Sequence, residues 1–157
     1  MSVIFRKALA ADVATIHALL CENAENDGGS IAGTEESLLQ YGFRDDPRFR
    51  VVLAERDDTA LGLALFFPEY SSWRGTMGVF VQDLYLKPAA RGLGLGRGLL
   101  AASVNAAADW EPTFVTLMVQ HNNADARSFY TAQGFTLREK ADVLICEGEA
   151  LTRLIAR

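Results

Sequence analysis

Apolar and polar positions first alternate at the start of the chain. Val3 and Phe5 stand against Ile4 and Arg6, so Ser2 to Ala8 is predicted as a short strand. The spacing then lengthens to a helical one. Val13, Ile16, Leu19 and Leu20 form one stripe, with Asp12 as the expected N-cap. Asn26-Asp27-Gly28-Gly29-Ser30 is loop by composition, and Thr34-Glu35-Glu36-Ser37 opens a second helix through Leu38, Leu39 and Tyr41. Phe49 to Glu55 and Ala60 to Phe67 read as strands, and the short link Arg56 to Thr59 makes them an antiparallel hairpin. Pro68 to Gly75 reads as a loop, and Gly78 to Leu86 as the longest β-type run, ending at Lys87-Pro88.

A glycine-rich turn leads into an Ala/Leu helix over roughly Gly94 to Asp109. Thr113 to Val119 is a strand, and Asn123 to Gln133 a helix stopped by Gly134. Phe135 to Leu137 and Val143 to Cys146 are expected as short strands, with a terminal helix over Ala150 to Ile155. The order is β-α-α-β-β-β-α-β-α-β-β. An early hairpin and a late β-α-β unit predict an α/β (mixed α+β) fold. The expected sheet is mixed, mostly antiparallel and six- to seven-stranded, with helices on both faces.

Composition narrows the class. A chain of 157 residues, 50% hydrophobic and 22% charged, fits one packed domain over 1–157. A net charge of −5 disfavours nucleic-acid and anionic-membrane partners. Cys21 and Cys146 lie in apolar runs without neighbours at metal-ligand spacing, so neither a disulfide framework nor a metal site is expected. The N-terminus lacks a secretory pattern and Leu61 to Phe67 is too short to span a bilayer, so a cytoplasmic protein is expected.

The strongest chemical signal is Arg91-Gly92-Leu93-Gly94-Leu95-Gly96-Arg97, set between a strand and an alanine-rich helix. Glycines at 92, 94 and 96 permit backbone conformations closed to other residues and leave amide N–H groups uncovered at a helix N-terminus, where an anion is favoured. Arg91 and Arg97 add cationic forks suited to phosphate. A tight strand-to-helix turn explains the glycines equally well on their own. No Gly-Lys-Ser/Thr follows, and no acidic residue stands where a ribose would be held.

With the strand Val81 to Pro88 before it, Arg91-x-x-Gly94-x-Gly96 resembles the acetyl-CoA signature Q/R-x-x-G-x-G/A of the GNAT superfamily. The resemblance implies pyrophosphate binding by Arg91, Gly92, Leu93, Gly94, Leu95, Gly96 and Arg97. It also implies pairing of the pantetheine arm with the backbone of Leu84, Tyr85 and Leu86. Asn123 to Phe135 resembles the family's N-x-x-x-x-x-F-Y-x-x-x-G-F motif, in which the tyrosine approaches the CoA sulfur. That places Asn123 and Ala126 on the cofactor side and makes Tyr130 the general acid for the leaving thiolate. The implied reaction is direct attack of a neutral amine on the thioester of acetyl-CoA, with a strand amide near Leu84 as oxyanion donor and no metal or covalent intermediate.

Within the superfamily the chain is most similar to the spermidine/spermine (diamine, thialysine) N-acetyltransferase branch. The resembling pieces are Thr34 to Pro47, Tyr70-x-x-Trp73-x-Gly75 and Gln82-Asp83. Gln82 stands where that branch commonly has Glu, and Asp27 to Ala32 replaces its acidic loop. Gln82, Asp83 and Trp73 are the expected acceptor contacts, and Asp83 would hold or deprotonate the amine, directly or through water; a solvated carboxylate at a strand bulge is the alternative. Glu22 and Glu25 line an acceptor mouth or are solvated helix-end charges, while Phe67 and Tyr70 wall the pocket or pack the hairpin. His17, His121 and the loop Arg44-Asp45-Asp46 receive no chemical role. The function expected is acetylation of a small-molecule amine, the alternatives being protein or peptide N-acetylation and a CoA-binding module without turnover. The resemblance implies a homodimer, for which Val143 to Ile155 would supply an apolar interface.

Overall fold

The computed structural model describes residues 2–138, 141 and 143–156. They form two units, Met1–Gln120 and His121–Arg157.

The first unit contains β1 (Ile4–Lys7), α1 (Val13–Asn26), α2 (Glu35–Gly42), β2 (Arg50–Arg56), β3 (Thr59–Ser71), β4 (Thr76–Leu86), α3 (Leu95–Ala106) and β5 (Val115–Leu117). The sheet order is β1-β2-β3-β4-β5. The first three pairings are antiparallel and β4–β5 is parallel. Parallel pairing needs a crossover, and α3 supplies it. The β2–β3 hairpin turns at Asp57 and Asp58, whose φ values of 51° and 58° meet the demand of a two-residue turn that matches strand twist.

Alternation sorts the buried side chains onto two faces. Val51, Leu53, Leu63, Leu65 and Tyr85 pack with Val13, Ile16, Leu19 and Leu20 of α1 and Leu38 of α2. The intervening residues Val52, Ala54, Ala64 and Phe66 are also buried, and α3 covers their side with Leu95, Leu99, Leu100 and Ser103. Burial on both faces is why β2 reads as a continuous apolar run rather than an alternation. The α1 stripe alone places four side chains in the core, each contributing roughly 2 kcal/mol.

Asp12 does not cap α1. A 3-10 turn, Ala10–Asp12, precedes the helix, and the Asp12 carboxylate accepts from the Leu9 amide at 2.7 Å and from Arg6 at 2.7 and 2.8 Å. The same guanidinium donates to Glu55 at 2.6 and 2.7 Å. Charge-assisted forked bonds outcompete a neutral cap, and here they tie β1, the start of α1 and β2 together. Thr34 does cap α2: its hydroxyl accepts from the Ser37 amide at 3.1 Å, and the Ser37 hydroxyl accepts from the Thr34 amide at 2.9 Å.

Two strand boundaries differ from the sequence expectation. Pro68 to Ser71 belong to β3, paired with Val79 to Thr76, and the loop shrinks to 72–75. Pairing with β2 stops at Phe66, so Pro68 sits where β3 has one neighbour and its missing N–H leaves no gap in a ladder. β5 is shorter than expected and covers only Val115–Leu117.

The second unit holds α4 (Ala124–Ala132) and α5 (Gly148–Ile155). Gly134, at φ 90°, ends α4: its amide donates to Thr131 O, and the Phe135 amide donates to Tyr130 O, both at 3.0 Å. The strands expected at Phe135 to Leu137 and Val143 to Cys146 are not formed, so five strands are present among the described residues. Strand-type composition needs a paired edge to become a strand. These segments have none there, and Leu144 is 92% exposed.

Candidate active site

Gly92 and Gly94 take φ values of 76° and 74°, and Gly94 is the N-cap of α3. A Cβ at either would meet nothing within 4 Å, so backbone conformation rather than crowding requires glycine. No side chain caps α3. Among the described residues the amides of positions 92–97 have no hydrogen-bond acceptor; the first with a partner is Gly98, which reaches Gly94 O at 3.4 Å. The turn is thus a run of free donors at the positive end of a helix dipole.

The two arginines beside it behave differently. Arg91 folds away from the turn: Nε donates to Leu86 O and Nη2 to Asn26 Oδ1, both at 3.0 Å, with the guanidinium 5.8 Å from the Tyr85 ring centre. Arg97 is exposed on the first turn of α3. Of the two cationic forks the sequence offers, Arg91 braces the turn against the end of α1.

β4 carries the second element. Leu65 pairs with Asp83 and Phe66 with Val81, so Gln82 is an extra, bulged residue and is exposed. β5 pairs only with Val79 to Val81. From Gln82 to Leu86, β4 is therefore paired on its β3 side alone among the described residues. Leu84, Tyr85 and Leu86 lie in this open stretch, which can accept an extended ligand by strand-like pairing.

Asp83 is half-buried, and among the described residues its carboxylate accepts a single long hydrogen bond, 3.4 Å from Asn23 Nδ2 on α1. Burial raises its pKa above the ordinary carboxylate value, with the Asn23 bond opposing weakly. Two residues on, the Tyr85 hydroxyl donates to Glu22 at 3.2 Å, and Lys87 meets the other Glu22 oxygen at 3.4 Å. Burial and then Glu22 raise the Tyr85 pKa. Glu22 is thus engaged with β4, while Glu25 is exposed. Trp73 stands at the tip of the β3–β4 hairpin, 99% exposed, and Tyr70 is exposed beside it. Phe67 stacks on Phe80 at 4.9 Å.

In the second unit Asn123 caps α4, its Oδ1 accepting from the Ala126 amide at 3.0 Å. Tyr130 is wedged edge-to-face between Phe129 and Phe135, at 5.1 and 5.5 Å. Burial pushes its hydroxyl up to a pKa of about 12, so it stays a neutral phenol, a donor and not a base.

His17 bonds the Gly33 carbonyl at 2.9 Å, a structural role, and His121 is exposed. Among the described residues no group of three or more His, Cys, Asp or Glu side chains would hold a metal ion, and no helix is long and apolar enough to cross a membrane. Sequence reasoning missed Asn23 and Asn26. Their signal is a polar edge, Glu22-Asn23 and Asn26, on the last two turns of an otherwise apolar helix.

A family model described as the acetyltransferase (GNAT) family matches residues 13–135. Thialysine N-epsilon-acetyltransferase of Bos taurus is 28% identical, covering 99% of this chain and 98% of the relative. Spermidine/spermine N(1)-acetyltransferase-like protein 1 of Homo sapiens is 30% identical over 82% of this chain and 20% of its own length. Among solved structures, an integron cassette protein from the mobile metagenome of V. cholerae has the same fold, with a TM-score of 0.80, 22% identity and 98% of each chain covered.

Proposed function

The chain belongs to the GNAT acetyltransferase family, and on that premise we propose that it transfers the acetyl group of acetyl-CoA to a primary amine of a small molecule. One observation carries the reading: a run of unpartnered amides at the N-terminus of α3 follows directly on the open stretch of β4. The amides of 92–97, with Arg97, suit a diphosphate, and the backbone of Leu84 to Leu86 suits an extended amide-bearing arm. Arg91 serves by holding the turn in place through Asn26 and Leu86.

In the proposed reaction the neutral acceptor nitrogen forms the bond to the acetyl carbon, and a β4 amide near Leu84 donates to the developing oxyanion. Asp83, or water it holds, takes the proton that the nitrogen gives up. Tyr130 donates to the sulfur as the carbon–sulfur bond breaks. A phenol of pKa about 12 is a weaker acid than a thiol of about 8.5, so Tyr130 acts first as a hydrogen-bond donor and releases its proton only as charge accumulates on sulfur. Gln82 and Asp83 bound the acceptor at the bulge of β4, whereas Trp73 stands at the exposed tip of the hairpin, beyond Ser71 and Thr76 and roughly 20 Å of strand away.

The similarity to thialysine and spermidine/spermine acetyltransferases supports an acceptor with an aliphatic amine. We read 1–157 as one catalytic domain and expect two chains to associate through the exposed apolar residues Leu144, Ile145, Leu154 and Ile155, which light scattering tests. The activity test is thiol release from acetyl-CoA against free amines and against peptides. Turnover with free amines supports the reading. Turnover with peptides alone would assign protein acetylation, and tight binding without turnover would assign a CoA-binding module.

A further inference from the structure

Asn23 interrupts a pattern. The buried stripe of α1 runs through Val13, Ile16, Leu19 and Leu20, and the next position on that face, one turn beyond Leu19 and Leu20, is an amide. The sheet carries a matching interruption. Leu63 and Leu65 of β3 and Tyr85 of β4 lie in the core under α1, and Asp83, the register partner of Leu65, is a carboxylate on that same face. The two meet, Asn23 Nδ2 donating to Asp83 Oδ1 at 3.4 Å, and both are half-buried. A carboxylate withdrawn from water is ordinarily paired with a cation. Among the described residues Asp83 has no Lys or Arg partner, and Asn23 is the one side-chain donor it meets.

Neighbouring contacts fix the stretch of helix that carries this amide. One residue before it, Glu22 takes the Tyr85 hydroxyl and Lys87; one turn after it, Asn26 takes Arg91. The end of α1 is thereby tied to β4 and to Arg91 on both sides of Asn23. The other titratable groups on the elements packed here are engaged elsewhere or turned to solvent. Glu69 of β3 accepts from Thr116, and His17 of α1 bonds the Gly33 carbonyl with Cys21 against its ring. Glu25 of α1 and Glu35, Glu36 and Tyr41 of α2 are exposed.

We infer that Asn23 is a positioning residue for the proposed reaction, its amide holding the Asp83 carboxylate in one orientation beside the bulge of β4. The inference rests on the amine-acetylation reading, in which Asp83, or water it holds, takes the proton of the acceptor nitrogen. A donor aimed at the carboxylate also favours its ionised form, the form that accepts a proton, and so opposes the burial that raises its pKa. Removing the donor leaves burial unopposed and moves ionisation to higher pH.

The test measures kcat/KM against pH by thiol release for the wild type, Asn23→Leu, Asn23→Asp and Asn23→Gln, and follows the Asp83 carboxyl carbon by NMR titration of the same proteins. Asn23→Leu, which continues the apolar stripe, should lower kcat/KM for the amine on the order of fivefold, a modest loss because the bond is long. It should leave the KM for acetyl-CoA near wild type and move the acid limb to higher pH. Asn23→Asp keeps the size of the side chain and adds a like charge, so the limb should move further in the same direction. Asn23→Gln keeps a donor and should restore part of the rate and of the limb. A carboxyl titration that is the same in Asn23→Leu and the wild type overturns the inference, as does a shifted titration with an unmoved limb. A shifted titration in a protein that releases no thiol with any amine upholds Asn23 as the group that positions Asp83 and sinks amine acetylation.

Discussion

Replacing Gly62 by alanine perturbs the site from the strand behind it. A Cβ there would lie 2.2 Å from the Tyr85 carbonyl oxygen, 2.7 Å from Leu86 Cδ2 and 3.0 Å from Leu86 Cα. Two of these atoms are backbone, so β4 must move from β3 by about 1 Å to restore ordinary contact. Overpacking of this kind costs roughly 1–3 kcal/mol, and a backbone obstacle puts it at the upper end. Alanine recovers about 0.4–1 kcal/mol by restricting the unfolded chain, leaving a net loss of about 2 kcal/mol. For a chain of this length that is a fall in Tm of roughly 4–8 °C. Gly98→Ala is the control. Its Cβ would come even closer, 2.1 Å from Phe5 Cζ, but the obstacle is a ring on an edge strand, 37% exposed and able to turn away. Alanine within α3 also gains about 1 kcal/mol in helix propensity, so Gly98→Ala should melt near the wild type. Because Tyr85 and Leu86 are displaced, Gly62→Ala should in addition weaken acetyl-CoA binding, and Gly98→Ala should not. Thermal melts and calorimetric titration of both variants decide the matter. Equal melting temperatures would refute the distinction between backbone and side-chain obstacles.

Tyr130→Phe should reduce kcat on the order of a hundredfold while leaving acetyl-CoA affinity near wild type, and an unchanged kcat removes Tyr130 from the acid role. In the proposed reaction Asp83 acts ionised, so kcat/KM should fall with decreasing pH through a value above 3.8, and Asp83→Asn should abolish that limb. A raised folded-state pKa favours the native protein at low pH, an advantage lost as pH rises through that pKa; Asp83→Asn should therefore be the more stable protein at pH 7, read from the denaturant midpoint. Asp12 is opposite in sign, its pKa lowered chiefly by the Arg6 hydrogen bonds. Its contribution is present above 3.8 and is lost as pH falls through the lowered value, so Asp12→Asn should cost about 2 kcal/mol at pH 7 and the gap should close in acid.

Local chemistry made much of the fold legible. The Val13, Ile16, Leu19, Leu20 stripe and the helix starts at Thr34 and Asn123 are each decided within one or two helical turns, and each stands where the sequence places it. Gly92 and Gly94 announce the positive φ values of the turn, while Gly96, read with them, sits in ordinary helical backbone inside α3. Illegible features depend on partners far along the chain. Asp12 was diverted from capping by Arg6, which also binds Glu55, 49 residues from it. Asp83 meets Asn23 across 60 residues, and Arg91 meets Asn26 across 65. Pro68 disguised the extension of β3 because sequence alone does not say where β2 stops pairing. Val143 to Cys146 has the composition of a strand without an edge to join among the described residues.

The proposed grip of the 92–97 amides on a diphosphate is most directly read by amide-resolved NMR of isotope-labelled protein during titration with CoA. Saturable shifts concentrated at Leu93 to Arg97 and along Leu84 to Leu86 are the predicted result. Absence of binding, or shifts that bypass the turn while CoA binds elsewhere, would contradict it.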